Sequence, residues 1–209
     1  NALDLPFMAG LRNLRNLLET GAYKALDSVI EKLKDEKEVL KSKQYPFRFL
    51  SAYREISGVY EGSDEYKQKI LRALETALYL SVQNIPRLSG NTVVIVDTSG
   101  SMDSSLSERS LVTYKDIAAL IGAISHMISD NAIVIAFASM AKKVLLDKDG
   151  SLFENMKKIQ ETDTGYATYV EEAMELLEKS EFKTDRILLF SDMQVYSQSG
   201  TDTARKSIS

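Results

Sequence analysis

The stretch Asn91-Thr-Val-Val-Ile-Val-Asp97-Thr98-Ser99-Gly100-Ser101-Met102 decides the fold. Val93 to Val96 is an uninterrupted apolar run, β-branched throughout, that closes on a turn signal. That is the pattern of a parallel strand buried on both faces. Asp97 therefore stands at the carboxyl end of a central strand. Ligands of open α/β sheets bind outside such ends, so Asp97, Ser99 and Ser101 fall where a site is expected. Gly100 lets the backbone turn so that both hydroxyls point inward. One acid and two hydroxyls are hard oxygen donors. With no His or Cys in the stretch, they favour magnesium, manganese or calcium over zinc. Taken alone, Asp97 reads equally well as a turn acid.

The Asp-x-Ser-x-Ser pattern after an apolar strand resembles the metal-ion-dependent adhesion site (MIDAS) of von Willebrand factor A domains. The resemblance implies two further ligands downstream. A threonine on a loop that opens a helix is matched by Thr168, in Asp163-Thr-Gly-Tyr-Ala-Thr168 ahead of the helical pattern Tyr169 to Lys179. An aspartate at the end of a later strand is matched by Asp192, which closes the run Asp185-Arg-Ile-Leu-Leu-Phe-Ser-Asp192. The expected metal set is Asp97, Ser99, Ser101, Thr168 and Asp192, with Mg2+ as the ion and Mn2+ or Ca2+ as alternatives. Magnesium retains several waters and uses few carboxylates, so the two acids would act partly through water while the hydroxyls coordinate directly. In that family the remaining position takes a ligand's carboxylate, which implies an acidic protein partner.

Composition bounds the rest. The 209 residues are 44% hydrophobic with three prolines, enough for one substantial core or two smaller ones. Cysteine is absent, which excludes disulfides and disfavours an extracellular adhesion domain. No apolar stretch approaches membrane-spanning length and the first residues carry no signal sequence, so the expectation is a cytoplasmic protein without a membrane role. Residues 1–90 hold 14 Lys and Arg against 12 Asp and Glu, while residues 91–209 hold 12 against 18. The acidic half argues against a nucleic-acid surface there.

The first half reads as helices throughout. Leu11, Leu14, Leu17 and Leu18 form a stripe that Pro6 can open and Gly21 can close. A second helix is expected over Tyr23 to Leu33, a short third over Glu36 to Ser42, and a fourth from Pro46 to near Gly58. The longest runs from Asp64 to about Asn84. Consecutive short helices of this kind suggest a HEAT-like repeat array. Leu5-Pro-Phe-Met-Ala-Gly-Leu-Arg-Asn-Leu-Arg-Asn-Leu-Leu18 and Gln44-Tyr-Pro-Phe-Arg-Phe-Leu-Ser-Ala-Tyr-Arg54 resemble the closing helices of the TROVE module. In the Ro autoantigen family that module is a ring of helical repeats closed onto an A domain. The resemblance implies non-enzymatic binding of small structured Y-like RNAs or misfolded RNAs. It also implies that most of the ring would precede Asn1 and that about two strands would follow the one ending at Asp192. Gly200 to Ser209 does not supply them.

The expected organisation is thus the closing part of a TROVE-like helical module over residues 1–88, followed over 89–209 by a doubly wound, Rossmann-like A domain that is incomplete at its C-terminal end. Thr113-Tyr-Lys-Asp116 reads as a capping box, Ala132 to Phe137 as a second buried strand, and Lys142 to Leu146 as a charged edge strand. The A-domain order puts the strand ending at Asp97 between those ending at Phe137 and Asp192. Possible RNA contacts are Arg12 and Arg15 on the polar face of the first helix. Lys41, Lys43 and Arg48 are further candidates, because they interleave with aromatics. His126 reads as a core or helix-surface residue, and no Gly-x-x-x-x-Gly-Lys phosphate loop is present. Two rivals remain: an A-domain protein-interaction scaffold without RNA, and a phosphohydrolase using Asp97 as nucleophile. The latter wants a second acid where Ser99 stands.

Overall fold

The computed structural model describes residues 5–59, 61–83, 85–108 and 110–193. The helix end anticipated at Asn84 and the stretch Gly200 to Ser209 lie outside them. The chain divides at Ile85 and Pro86 into two compact units, the first also including residues 110–112.

Five helices build the first unit: α1 (Phe7–Glu19), α2 (Tyr23–Lys34), α3 (Glu36–Ser42), α4 (Pro46–Ser57) and α5 (Asp64–Val82). Their boundaries follow local chemistry. Pro6 precedes α1, and Pro46 occupies the first turn of α4, where a missing N–H costs nothing. The Asp35 side chain caps α3 by accepting from the Glu38 N–H at 2.9 Å. The apolar stripes of all five meet in one core, with Leu14, Leu18, Leu26, Leu33, Phe49, Leu50, Ile70, Leu74 and Leu78 fully buried. Phe7 meets Phe49 edge-on, with ring centroids 6.2 Å apart. Gly10 lets α1 approach α2 closely: a Cβ there would lie 2.8 Å from a Val29 methyl.

Among its described residues the second unit holds a four-stranded sheet of β1 (Leu88–Asp97), β2 (Ser129–Phe137), β3 (Ala141–Val144) and β4 (Arg186–Phe190), in the order β3-β2-β1-β4. β1 is central and parallel to β2 and β4, while β3 pairs antiparallel with β2 at one edge, making the sheet mixed. The side chains of β1 from Val93 to Asp97 are all buried, as a strand covered on both faces requires. On one face Val93 and Ile95 join Ile133, Ile135 and Phe137 of β2 under Ala173 and Leu177 of α8 (Val170–Lys179). On the other, Val94 and Val96 lie against Gly122 of α6 (Tyr114–Ile128), with Ile159 of α7 (Leu152–Gln160) alongside. The anticipated capping box of α6 is present: Thr113 Oγ1 accepts from the Asp116 N–H, and Asp116 accepts from the Thr113 N–H, both at 3.1 Å.

One expectation is corrected. β4 ends at Phe190, so Asp192 stands two residues beyond the strand. The apolar run of β4 is only half buried, with Ile187 and Leu189 exposed although they stand in register with the buried Val93 and Ile95. Among the described residues β1 is its one strand neighbour. Burial is set by neighbours, whereas the hydrophobic run reports only what the strand could bury.

Candidate metal centre

The loop after β1 is shaped by its own hydroxyls and carboxylate. Thr98 anchors it to β2: its N–H and its hydroxyl both donate to the Phe137 carbonyl, at 2.9 and 3.1 Å. Its hydroxyl also pairs with that of Thr164 at 2.7 Å. Asp97 Oδ1 accepts from the Ser99 N–H at 2.9 Å, an Asx turn that reverses the chain. A single 3-10 turn, Gly100–Asp103, then brings Ser101 Oγ to 3.2 Å from Ser99 Oγ. Asp97 and Ser99 are fully buried.

A second loop is tied to the first. The Gly100 N–H donates to the Tyr166 carbonyl at 3.1 Å. Ser139, just past β2, accepts from the Tyr166 and Ala167 N–H groups at 3.1 and 2.9 Å. Gly165 makes this possible with φ +84° and no side chain, since a Cβ would lie 2.6 Å from Ser139 Oγ. Thr168 follows, 3% exposed, immediately before the residue that caps α8.

The third strand end contributes a residue not anticipated from the sequence. Val96 pairs with Phe190, so Ser191 lies level with Asp97, and its hydroxyl donates to Asp97 Oδ2 at 2.7 Å. The clue was the Phe-Ser-Asp ending of β4, a hydroxyl before the acid. Asp192 is partly exposed and lines a cleft of about 200 Å³ with Met102, Tyr114, Ile117 and Leu189. The geometry thus draws Asp97, Ser99 and Ser101 into one hydrogen-bonded cluster and ties the Thr168 loop to it. Asp192 stands beside that cluster, next to Ser191.

The donor chemistry fits a hard divalent ion. Asp97 is 0% exposed, and its hydrogen-bond partners among the described residues are neutral, one N–H and one O–H. A buried carboxylate without a cation is costly, and hydroxyl oxygens complete an oxygen-rich shell of the kind magnesium takes. Among the described residues no three carboxylate, imidazole or thiol groups converge.

Comparison with known proteins decides the family. Residues 1–69 match the TROVE domain and residues 92–194 the von Willebrand factor type A domain. The chain is a Ro-type TROVE and von Willebrand factor A protein. Relatives of this Ro-type chain include RNA-binding protein RO60 of Caenorhabditis elegans, 31% identical over 116 residues, covering 52% of this chain and 18% of that protein. Telomerase protein component 1 of Mus musculus is 53% identical over 53 residues, covering 25% of this chain and 2% of that protein. The crystal structure of Deinococcus radiodurans RO (RSR) protein superposes with a TM-score of 0.67 at 20% identity, over 93% of this chain and 41% of that one. The Ro-type chain therefore spans a minor part of each. No helix among its described residues is long and apolar enough to cross a membrane.

The candidate RNA contacts of the Ro-type chain differ from one another. Arg12 is exposed on α1. Arg15 is engaged by Glu19 at 2.7 Å, and that carboxylate holds the guanidinium pKa above its ordinary value. Lys41, Lys43 and Arg48 are exposed around the turn between α3 and α4.

Proposed function

We propose that this chain belongs to a non-catalytic RNA-binding protein. In this reading a HEAT-like helical array contacts small structured or misfolded RNA, and the A-type domain holds Mg2+ through Asp97, Ser99, Ser101, Thr168 and Asp192 to capture an acidic ligand. The observation that carries it is the pairing, in one chain, of a TROVE match over residues 1–69 with an A-domain match over 92–194. The relative named RNA-binding protein RO60 supports the RNA reading. The charge division supports giving that role to the helical half, because phosphate avoids the acidic one. The buried, cation-free carboxylate of Asp97 supports the ion. The short stretch shared with telomerase protein component 1 favours a second reading of the same class, in which the chain serves as one component of a larger assembly.

Filter binding of the 209-residue chain to a small hairpin RNA with a single-stranded tail, over about 50–200 mM salt, tests the RNA claim. The expected result is weak binding with a steep salt dependence, tightening as salt falls. Absence of binding at the lowest salt overturns it.

A further inference from the structure

Tyr45 sits just before Pro46 in extended backbone (φ −70°, ψ 144°), and the residue is 70% exposed. The ring runs nearly parallel to that of Phe47, with centroids 6.0 Å apart and planes 12° from parallel. The Arg48 guanidinium lies over the Phe47 ring, 5.0 Å from its centroid. The turn carrying these groups is braced from within. Ser42 Oγ donates to the Val39 carbonyl at 2.6 Å and accepts from the Gln44 N–H at 3.3 Å, and the Gln44 side chain donates to the Ser42 carbonyl at 2.9 Å. Lys43 takes the left-handed conformation that this bracing requires.

Charge around the turn is one-sided. From Val39 to Arg54 the sequence holds four cations and no acid. Lys41, Lys43 and Arg48 are exposed, and none meets a carboxylate among the described residues. The other aromatic stack of this unit, Tyr23 on Tyr66 at 4.5 Å, is the opposite case. There the Tyr66 hydroxyl donates to Asp27 at 3.2 Å, and Lys69 is paired with Glu65 at 2.6 Å, so carboxylates would repel phosphate.

An open aromatic face beside uncompensated cations is how single strands are held: a base stacks on the ring while the backbone meets the charges. A duplex offers no free base face, and a polyanion without bases has no use for the ring. We propose that Tyr45, supported by Phe47 and Arg48 and flanked by Lys41 and Lys43, is a stacking platform for an unpaired base of single-stranded RNA. This rests on the RNA-binding reading above and specifies which part of the RNA is read and where.

The chain has no tryptophan, so Tyr45→Trp introduces a single indole as reporter. Titration with a short oligouridine should quench its fluorescence saturably, while a duplex of equal length and inorganic polyphosphate should not. In filter binding Tyr45→Ala should weaken affinity for the same oligouridine about tenfold. Tyr45→Phe should retain affinity, Lys43→Ala should lower the salt slope by about one, and Tyr23→Ala should change nothing. RNA bound equally by wild type and Tyr45→Ala, without quenching of the indole, overturns the platform and leaves the RNA-binding reading standing. Equal quenching by polyphosphate or by an acidic peptide overturns base recognition. Absence of any RNA binding by the wild-type chain overturns both.

Discussion

Gly165→Ala should disable the metal centre without touching any residue expected to hold the ion. Gly165 has φ +84°, and an added Cβ would lie 2.6 Å from Ser139 Oγ and 2.8 Å from Ser139 Cβ. Holding an L residue in the left-handed region costs about 1–2 kcal/mol. Forcing a methyl into a filled site costs about 1–3 kcal/mol more. A loop that stayed in place would therefore lose about 2–5 kcal/mol in all. The loop has a partial escape, which is to move off Ser139. That breaks the bonds from the Tyr166 and Ala167 N–H groups, strains the one from the Gly100 N–H to the Tyr166 carbonyl, and shifts the loop that carries Thr168. Thermal unfolding should show a midpoint lowered by on the order of 10 °C, and calorimetric titration should show Mg2+ affinity reduced at least about tenfold. A variant that melts within about a degree of wild type and binds Mg2+ equally would refute the argument that this loop is clamped and that the clamp positions Thr168.

Three further outcomes follow from particular contacts. Ser191→Ala removes the hydroxyl on Asp97 Oδ2, and chemical denaturation in chelator should show a loss of about 1.5–3 kcal/mol. That loss should shrink at saturating Mg2+; no loss in chelator would mean the hydroxyl is idle. His126 is half buried in α6, and desolvation, followed by the nearby Lys148 charge, lowers its pKa below 6.5, with Asp147 opposing. The unfolded chain then binds a proton the folded one resists. This stability contribution is fully present above about pH 6.5 and is lost as pH falls through the lower folded value. Denaturation midpoints of His126→Gln should therefore vary less with pH than wild type over that window, and parallel curves would contradict the assignment. Arg15→Ala should leave RNA affinity unchanged in filter binding, because Glu19 already neutralises the side chain. A marked loss would make α1 part of the RNA surface.

How far the sequence alone could be read depends on which signals are local. The central strand was legible because Val93 to Val96 must be covered on both faces, and the helix starts because Pro6, Pro46 and the Thr113 box act within one turn. The order of β1 between β2 and β4 came from the family resemblance, since no periodicity encodes it. Ser191 left only the Phe-Ser-Asp ending of β4 as a clue, and Ser139 left none. Their roles depend on register, Val96 opposite Phe190 and Asp97 opposite Phe137, which brings residues far apart in sequence to one level. Arg15 looked like its neighbour Arg12 until its pairing with Glu19 one turn on set them apart.

Mn2+ titration followed by electron paramagnetic resonance tests for a divalent ion at the end of β1. The free-ion signal should be suppressed by one equivalent per chain for wild type and recovered on adding Mg2+. Asp97→Asn keeps the shape and a hydrogen-bonding oxygen but removes the buried charge, and Thr168→Ala removes one hydroxyl. Both should leave the Mn2+ signal free. Suppression by Asp97→Asn equal to wild type, or no suppression by wild type at millimolar Mn2+, would rule out an ion held at this site.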